Sequence, residues 1–514
     1  MDRRQAYLRR QRQVAASGGT PVPPLPALTK LVQFSDLANT TTSGVSGSPT
    51  VGSKGIDGAP SMQVTANALN FGSITRAGAI PANVDPATLG TIAFYVDDSP
   101  PYYQHVNNTP SFIRSGLTYA APVENYLLNS PKPGRWNARH ISEFVNSGTP
   151  ISAVGPGVAS DFRTVISGGK AAVCNIDRLY ANARGTPTLV MTFDDGIIGQ
   201  YTDLRPILAT YGFKASFAPI KNTTGTTGMS IAQLNAMYAD GHDIICDGRD
   251  DDASIVTAGT LAAAMTNLNS VRQWVTDNGW LRGKDHIVWP FGVFEQSTRY
   301  DLAVGITAGS PVITLSGTGG NVTTGLVAGM AIQASTLLFP AGTTIVSVDS
   351  STQFTVSANS LVTAGTGAGY AVRTGYTDDT NAPFYGPKVI DAAIAAGFKT
   401  GRSVSPAAPL SSSMMYSRFG LGGQELCYPA YSIAAATLLS DLKASWDLAK
   451  LRGGTMATFG HGVAPTGSGL TIPAQLLIDF FDYIAPDIAS GAGQVLTVSQ
   501  WHARDLASPA IPAV

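Results

Sequence analysis

The sequence predicts a multidomain chain: an N-terminal all-β sandwich, then an α/β unit shaped as a distorted seven-stranded β/α barrel, with a small β domain inserted into it. Three observations lead there. From residue 186 onward, strand-like and helix-like segments alternate, the pattern of parallel strands joined by crossover helices. Residues 30–185 carry short β-prone runs between Gly, Pro, Asn, Asp and Ser clusters, with no long helical period. Over 301–378 the alternation is interrupted by Gly-, Thr-, Ser- and Val-rich runs that hold no helix.

Composition narrows the function classes. Apolar residues make up 44% of the 514, enough for sizeable cores and against intrinsic disorder. Charged residues are 13%, about half of the usual ~25%. With 55 Gly and 32 Pro, the mix suits a turn-rich extracellular architecture. A net charge of -1 gives no bulk pull toward nucleic acid or a membrane surface. Cys174, Cys246 and Cys427 are too few and too far apart for a disulfide framework. No apolar run approaches the ~20 residues of a membrane span. The N-terminal charges have no apolar run behind them, so a secretory signal is not expected and release by host lysis is.

Residues 1–29 read as a basic arm and linker. The first sixteen hold five Arg against one Asp, and SGGTPVPPLPA follows. Within 30–185, Ile92–Val96, Phe162–Ile166 and 171–177 read as strands, and two packed sheets are their natural closure. Tyr102, Tyr103 and Trp136 make carbohydrate binding a candidate role. The barrel is expected in two parts, 186–300 and 379–514. Its strands are read at 188–193, 214–218, 242–246, 286–290, 398–404, 455–460 and 494–498. Residues 260–278 place Leu261, Met265, Leu268, Val271 and Val275 on one helical stripe, ending at Gly279. Ser230 reads as a helix N-cap, Pro387 as the first turn of another helix, and 437–450 and 473–485 as two more. In the insert, 311–315, 344–348 and 353–357 read as strands.

The sharpest chemical signal is Thr192-Phe193-Asp194-Asp195-Gly196. An apolar strand ends in two carboxylates and a Gly that lets the chain turn. Adjacent acids at a strand end point in different directions, so one can bind a cation while the other acts as a base. Beyond it lie Tyr211-Gly212-Phe213-Lys214-Ala215-Ser216-Phe217, Gly241-His242-Asp243-Ile244 and Ala395-Ala396-Gly397-Phe398.

Together these motifs resemble the polysaccharide deacetylases of the NodB-homology type, carbohydrate esterase family four, over about 186–300 and 380–505. The resemblance implies Asp194 as base and Asp195 as metal ligand. The family's two metal-binding histidines would fall at Asp247 and Asp251. Asp195, Asp247 and Asp251 would then make an oxygen-rich site, suited to Mg, Mn or Ca at least as well as Zn. The other reading is a degenerate site in a solvated acidic loop. Trp289-Pro290-Phe291-Gly292 is similar to the family's Pro-Tyr-Gly turn, with the arginine of many members falling at Val288. Trp289, Pro290 and Phe291 are candidate substrate-binding residues, Trp289 and Phe291 being equally readable as core. Thr458-Phe459-Gly460-His461-Gly462 matches the family's last motif and makes His461 the candidate acid.

The implied activity is metal-assisted removal of acetyl groups from a polysaccharide. The basic arm, the sandwich and the insert resemble phage tail fibres or tailspikes. That resemblance implies a virion protein, homotrimeric, docked on tail or baseplate proteins through the arm and acting on host capsule or O-antigen. The competing class is a catalytically degenerate barrel that only binds a glycan receptor.

Overall fold

The structure is a computed structural model. It describes residues 29–34, 37–43, 45–52, 61–66, 71–99, 111–120, 135–167, 173–182, 185–247, 261–292, 300–317, 328–334, 338–340, 343–363, 371–376, 388–404, 414–416, 426 and 428–506, with 323, 326 and 365. The expectations at Tyr102, Tyr103, Asp251 and Pro387 lie outside them.

The N-terminal region is two antiparallel sheets over one core. The first runs Val45–Gly52, Ser61–Ala66, Val173–Ala181, Thr91–Ser99 and Arg135–His140, with Thr29–Gln33 also on Val173–Ala181. The second contains Leu117–Ala120, Ser111–Arg114, Ser160–Ser167, Phe71–Ile80 and Thr40–Ser43. Met62, Ile92 and Leu179 of one sheet share a buried cluster with Ile74, Phe112 and Phe162 of the other. Phe112 packs edge-on against Phe144 and Phe162, a preferred aromatic geometry.

The α/β domain is built on β1 (Thr188–Asp195), β2 (Ser216–Pro219), β3 (Asp243–Ile244), β4 (His286–Val288), β5 (Thr400–Val404), β6 (Tyr428–Ser432), β7 (Gly454–Gly460) and β8 (Gln494–Leu496). The parallel order is β3-β2-β1-β7-β6-β5-β4, with β8 on the first half of β1. Instead of a regular barrel, this is a curled sheet whose outer strands meet at a single bridge, Cys246 with Ile287. The principal helices are α1 (Arg205–Tyr211), α2 (Ile231–Ala239), α3 (Leu261–Asp277), α4 (Lys388–Ala395), α5 (Leu439–Arg452), α6 (Ala474–Ala489) and α7 (Val498–Trp501). β6 lies outside the seven strands read from the sequence; its TyrProAlaTyrSer carries a Pro and two polar ends, which mask a strand that is buried at alternate positions.

Alternation decides which way each strand residue points. On β1, Leu189, Met191 and Phe193 join the core shared with the helices. Val190 instead packs with Tyr428, Ala430, Ala457, Phe459, Val498 and Trp501 inside the curl. Asp194, in phase with Val190, therefore stands on the inner face at the C-terminal end of the strand. Local signals agree: Ser230 and Gln233 form a reciprocal capping box on α2, and Leu268, Val271 and Val275 of α3 are buried.

The N-terminal region meets the α/β domain where α5 ends and β7 begins. Arg452 is 2% exposed and forks onto Glu143, at 3.0 and 2.5 Å. The Thr91 hydroxyl donates to the Arg452 carbonyl, and the Gly185 amide to that of Gly453. These contacts gather at the N-terminal end of the parallel strands. The inserted sheet, Tyr300–Ile306 to Ala371–Tyr376, has its own core of Val304, Ile313, Ile332 and Phe354. It occupies the connection from β4 to α4, so it leaves from the C-terminal ends of the strands. Among the described residues no helix is long and apolar enough to cross a membrane.

Two histidines are held neutral by the fold. Burial pulls His242 down to about 4, and its Nδ1 accepts from the Ala215 amide. Burial, then the neighbouring His502, pulls His286 down to about 3. Both folded values lie below the ordinary 6.5 of the unfolded chain. Stability is therefore fully present above pH 6.5 and lost as pH falls through 4 toward 3. His242 alone is worth on the order of 3 kcal/mol over that window. Denaturant midpoints should fall from pH 7 to pH 4, and less steeply in His242→Gln or His286→Gln. A midpoint flat across that range contradicts the assignment.

Candidate active site

The site forms where β1 and β7 end. The last Cα partners of their ladder are Phe193 and Gly460. The next residues are Asp194 and His461. The chain then turns sharply: Asp195 has φ +69° and Gly196 φ +66°. Asp tolerates this left-handed region better than most residues. Gly196 is required twice over, since a Cβ there would stand 2.8 Å from that of Pro219. The turn separates the two acids. Asp194 stays on the inner face, 6% exposed. Asp195 is half-buried, and its Oδ2 lies 4.0 Å from Nε2 of His461.

Asp194 is not alone inside the curl. Its Oδ2 accepts from an amino group of Arg402, a side chain 2% exposed. The same guanidinium lies over the Phe459 ring, 4.2 Å from its centroid, which compensates part of the cost of burying the charge. Oδ1 of Asp194 and Nδ1 of His461 are buried, with no hydrogen-bond partner among the described residues. One carboxylate oxygen is thus fixed by a counter-charge. Arg402 is the Cα partner of Val288 on the neighbouring strand. The arginine lacking at Val288 has a counterpart one strand away. Beneath it, burial pushes the Tyr428 phenol well above its ordinary range, so it stays neutral.

The remaining expected residues divide. Asp247, just past β3, is buried at 2%. Asp251 lies outside the described residues. Among the described residues no three His, Cys, Asp or Glu side chains converge as a metal site.

Trp289 requires a correction. It is 1% exposed, and its indole N–H donates to the Leu426 carbonyl at 2.7 Å. It is core, not a face for a sugar ring, because it completes the packing between β4 and the segment before β6. Pro290 is buried as well, and the side chain of Phe291 is outside the description.

Two contributors escaped the sequence reading. Arg402 had a signal: a cation in the middle of a short strand, Thr400–Val404. Gln200 had none. It is fully buried, and its Nε2 donates to the carbonyls of both Asp194 (2.6 Å) and His461 (3.1 Å).

Residues 181–303 match the family model for polysaccharide deacetylase. The match contains Asp194 and Asp195 and ends in the first strand of the inserted sheet. No curated protein matches the chain. Among solved structures, a family 11 carbohydrate-binding module from Clostridium thermocellum aligns at 12% identity over 30% of this chain and 94% of the module, TM-score 0.22. A family 4 carbohydrate esterase from Streptomyces lividans aligns at 18% identity over 21% of this chain and 53% of its own, TM-score 0.18. The catalytic domain of a peptidoglycan N-acetylglucosamine deacetylase from Eubacterium rectale aligns at 21% identity over 22% and 49%, TM-score 0.19. This chain spans about half the length of those two enzymes.

Arg402→Met should leave a buried, uncompensated carboxylate and cost about 3 kcal/mol. Asp194→Asn combined with it should cost clearly less than the two changes summed. Urea denaturation of the four proteins in this cycle measures the coupling; strictly additive losses would show that the pair does not stabilise the inner face.

Proposed function

We propose that the α/β domain hydrolyses acetyl groups from a polysaccharide. The observation that carries this reading is the convergence of Asp194, Asp195 and His461 at the C-terminal ends of β1 and β7, in a domain whose first part matches the polysaccharide deacetylase model.

In this reading Oδ1 of Asp194 takes a proton from the attacking water. The new C–O bond forms as electrons move to the acetyl carbonyl oxygen. Collapse of the tetrahedral species breaks the bond to the sugar oxygen or nitrogen, and His461 supplies that atom's proton. Acetate and the free sugar hydroxyl or amine leave. Arg402 holds the base's other oxygen, so the base keeps one orientation throughout. A divalent cation held by Asp195 and Asp247, with Asp251, would supply Lewis-acid polarisation of the acetyl carbonyl. The setting we propose for this activity is a phage tail fibre or tailspike acting on bacterial surface polysaccharide, supported by the basic arm and the inserted β domain.

Acetate release from purified bacterial surface polysaccharide tests the reading. Asp194→Asn should lower the rate at least ~100-fold. Loss of release on adding a chelator, restored by Mg, Mn, Ca or Zn, would support the carboxylate cation site. Glycan binding without any release would favour a receptor-binding domain in place of an enzyme.

A further inference from the structure

We propose that Gln200 is a positioning residue: its side-chain amide sets the separation between Asp194 and His461. This rests on the deacetylase reading for its kinetic consequence, though not for its geometry.

A continued ladder between β1 and β7 would hold the strands at the usual ~4.8 Å. The ladder instead ends at Phe193 and Gly460. The carbonyls of the next residue on each strand, Asp194 and His461, then share one donor, Nε2 of Gln200. Below them the Thr192 hydroxyl makes only a long contact, 3.4 Å, to the Thr458 carbonyl. Gln200 is therefore the spacer between the two strand ends at the level where the chemistry is proposed.

Three features fit that role. Gln200 is fully buried, so water does not compete for either carbonyl. Its amide has one tolerable orientation, because a flip would set Oε1 against two carbonyl oxygens. It also begins a π-helical turn, Gln200–Leu204, an irregularity that recurs at functional sites. Close approach is made possible by Gly199, where a Cβ would stand 2.2 Å from the Val463 carbonyl oxygen. The helix start thus lies directly on the segment that follows His461.

The test uses the full chain, with Gln200→Met, which removes both hydrogen bonds at similar volume, and Gln200→Glu. Gln200→Met should fold, lower kcat on the order of 100-fold, and leave KM within about twofold, the mark of a displaced pair and not of lost binding. Gln200→Glu should lose activity at neutral pH and recover relative to wild type as pH falls through the carboxyl range, where protonation returns one donor. Independently of turnover, the imidazole NMR signals of His461, assigned through His461→Gln, should shift in Gln200→Met. Unchanged kcat in folded Gln200→Met, an unaltered pH profile in Gln200→Glu, or unchanged His461 signals overturns the proposal. If the wild type releases no acetate, the deacetylase reading fails and the NMR comparison alone decides the positioning role.

Discussion

The candidate site begins where hydrogen bonding between β1 and β7 stops. Up to Phe193 and Gly460 the two strands are joined by a backbone ladder, and that ladder fixes the height at which everything above it stands. One residue later, both chains leave the ladder. Their carbonyls pass to a single buried amide, while the side chains of Asp194 and His461 are freed for other partners. The left-handed turn at Asp195 and Gly196 belongs to the same event. It stops the strand abruptly, so that two consecutive carboxylates can face different groups. Strain at a turn of this kind persists only when its surroundings enforce it; here Pro219 on one side and the Gln200 amide on the other do so.

Two buried arginines mark the two ends of the α/β domain, and they work differently. Arg402 lies inside the curl against Asp194, where a charge is costly and must be matched. Its worth lies in orientation, since an apolar pair of similar volume would stabilise the interior as well or better. Arg452 sits at the opposite end, in the last turn of α5, against Glu143 of the N-terminal region. Glu143 also accepts from the His140 amide in its own capping box, so the carboxylate is pre-set before the domains meet. A fork fixed on one side loses less side-chain freedom on pairing than two mobile chains would.

Much of this was legible in the sequence, for identifiable reasons. β1 and β7 are buried along almost their whole length, and strands covered on both faces read as continuous apolar runs. The capping residues of α2 and the stripe of α3 follow local rules, so they could be read from a few positions. Asp194, Asp195 and His461 announce themselves as polar residues set directly after such runs. What was hidden depends on register. Arg402 reaches Asp194 through the register that pairs it with Tyr428 on β6, and β6 with β7 beside β1, and no local pattern encodes that. Gln200 acts through backbone carbonyls, which every residue possesses. Trp289 could be read as a sugar platform or as core, because aromatic residues look alike in sequence whether they line a pocket or fill a core; burial and the partner at the Leu426 carbonyl separate the two.

The placement of the added domains follows from the same asymmetry. In parallel α/β folds the connections leaving the C-terminal strand ends vary, while the opposite end carries stability. The chain uses both ends in this sense. Short turns after β1 and β7 carry Asp195 and His461, where a shift of one residue would move the chemistry. The inserted sheet replaces the connection after β4, and its separate core lets it order itself without drawing on the parent domain. Lengthening a connection adds little to the cost of closing it, so an autonomous unit is tolerated there at small expense to the fold. The N-terminal sheets are attached at the other end, through Glu143 and Arg452. Attachment there keeps the Glu143–Arg452 contact at the opposite end of the parallel strands from Asp194 and His461, so neither junction interrupts the ladder between β1 and β7.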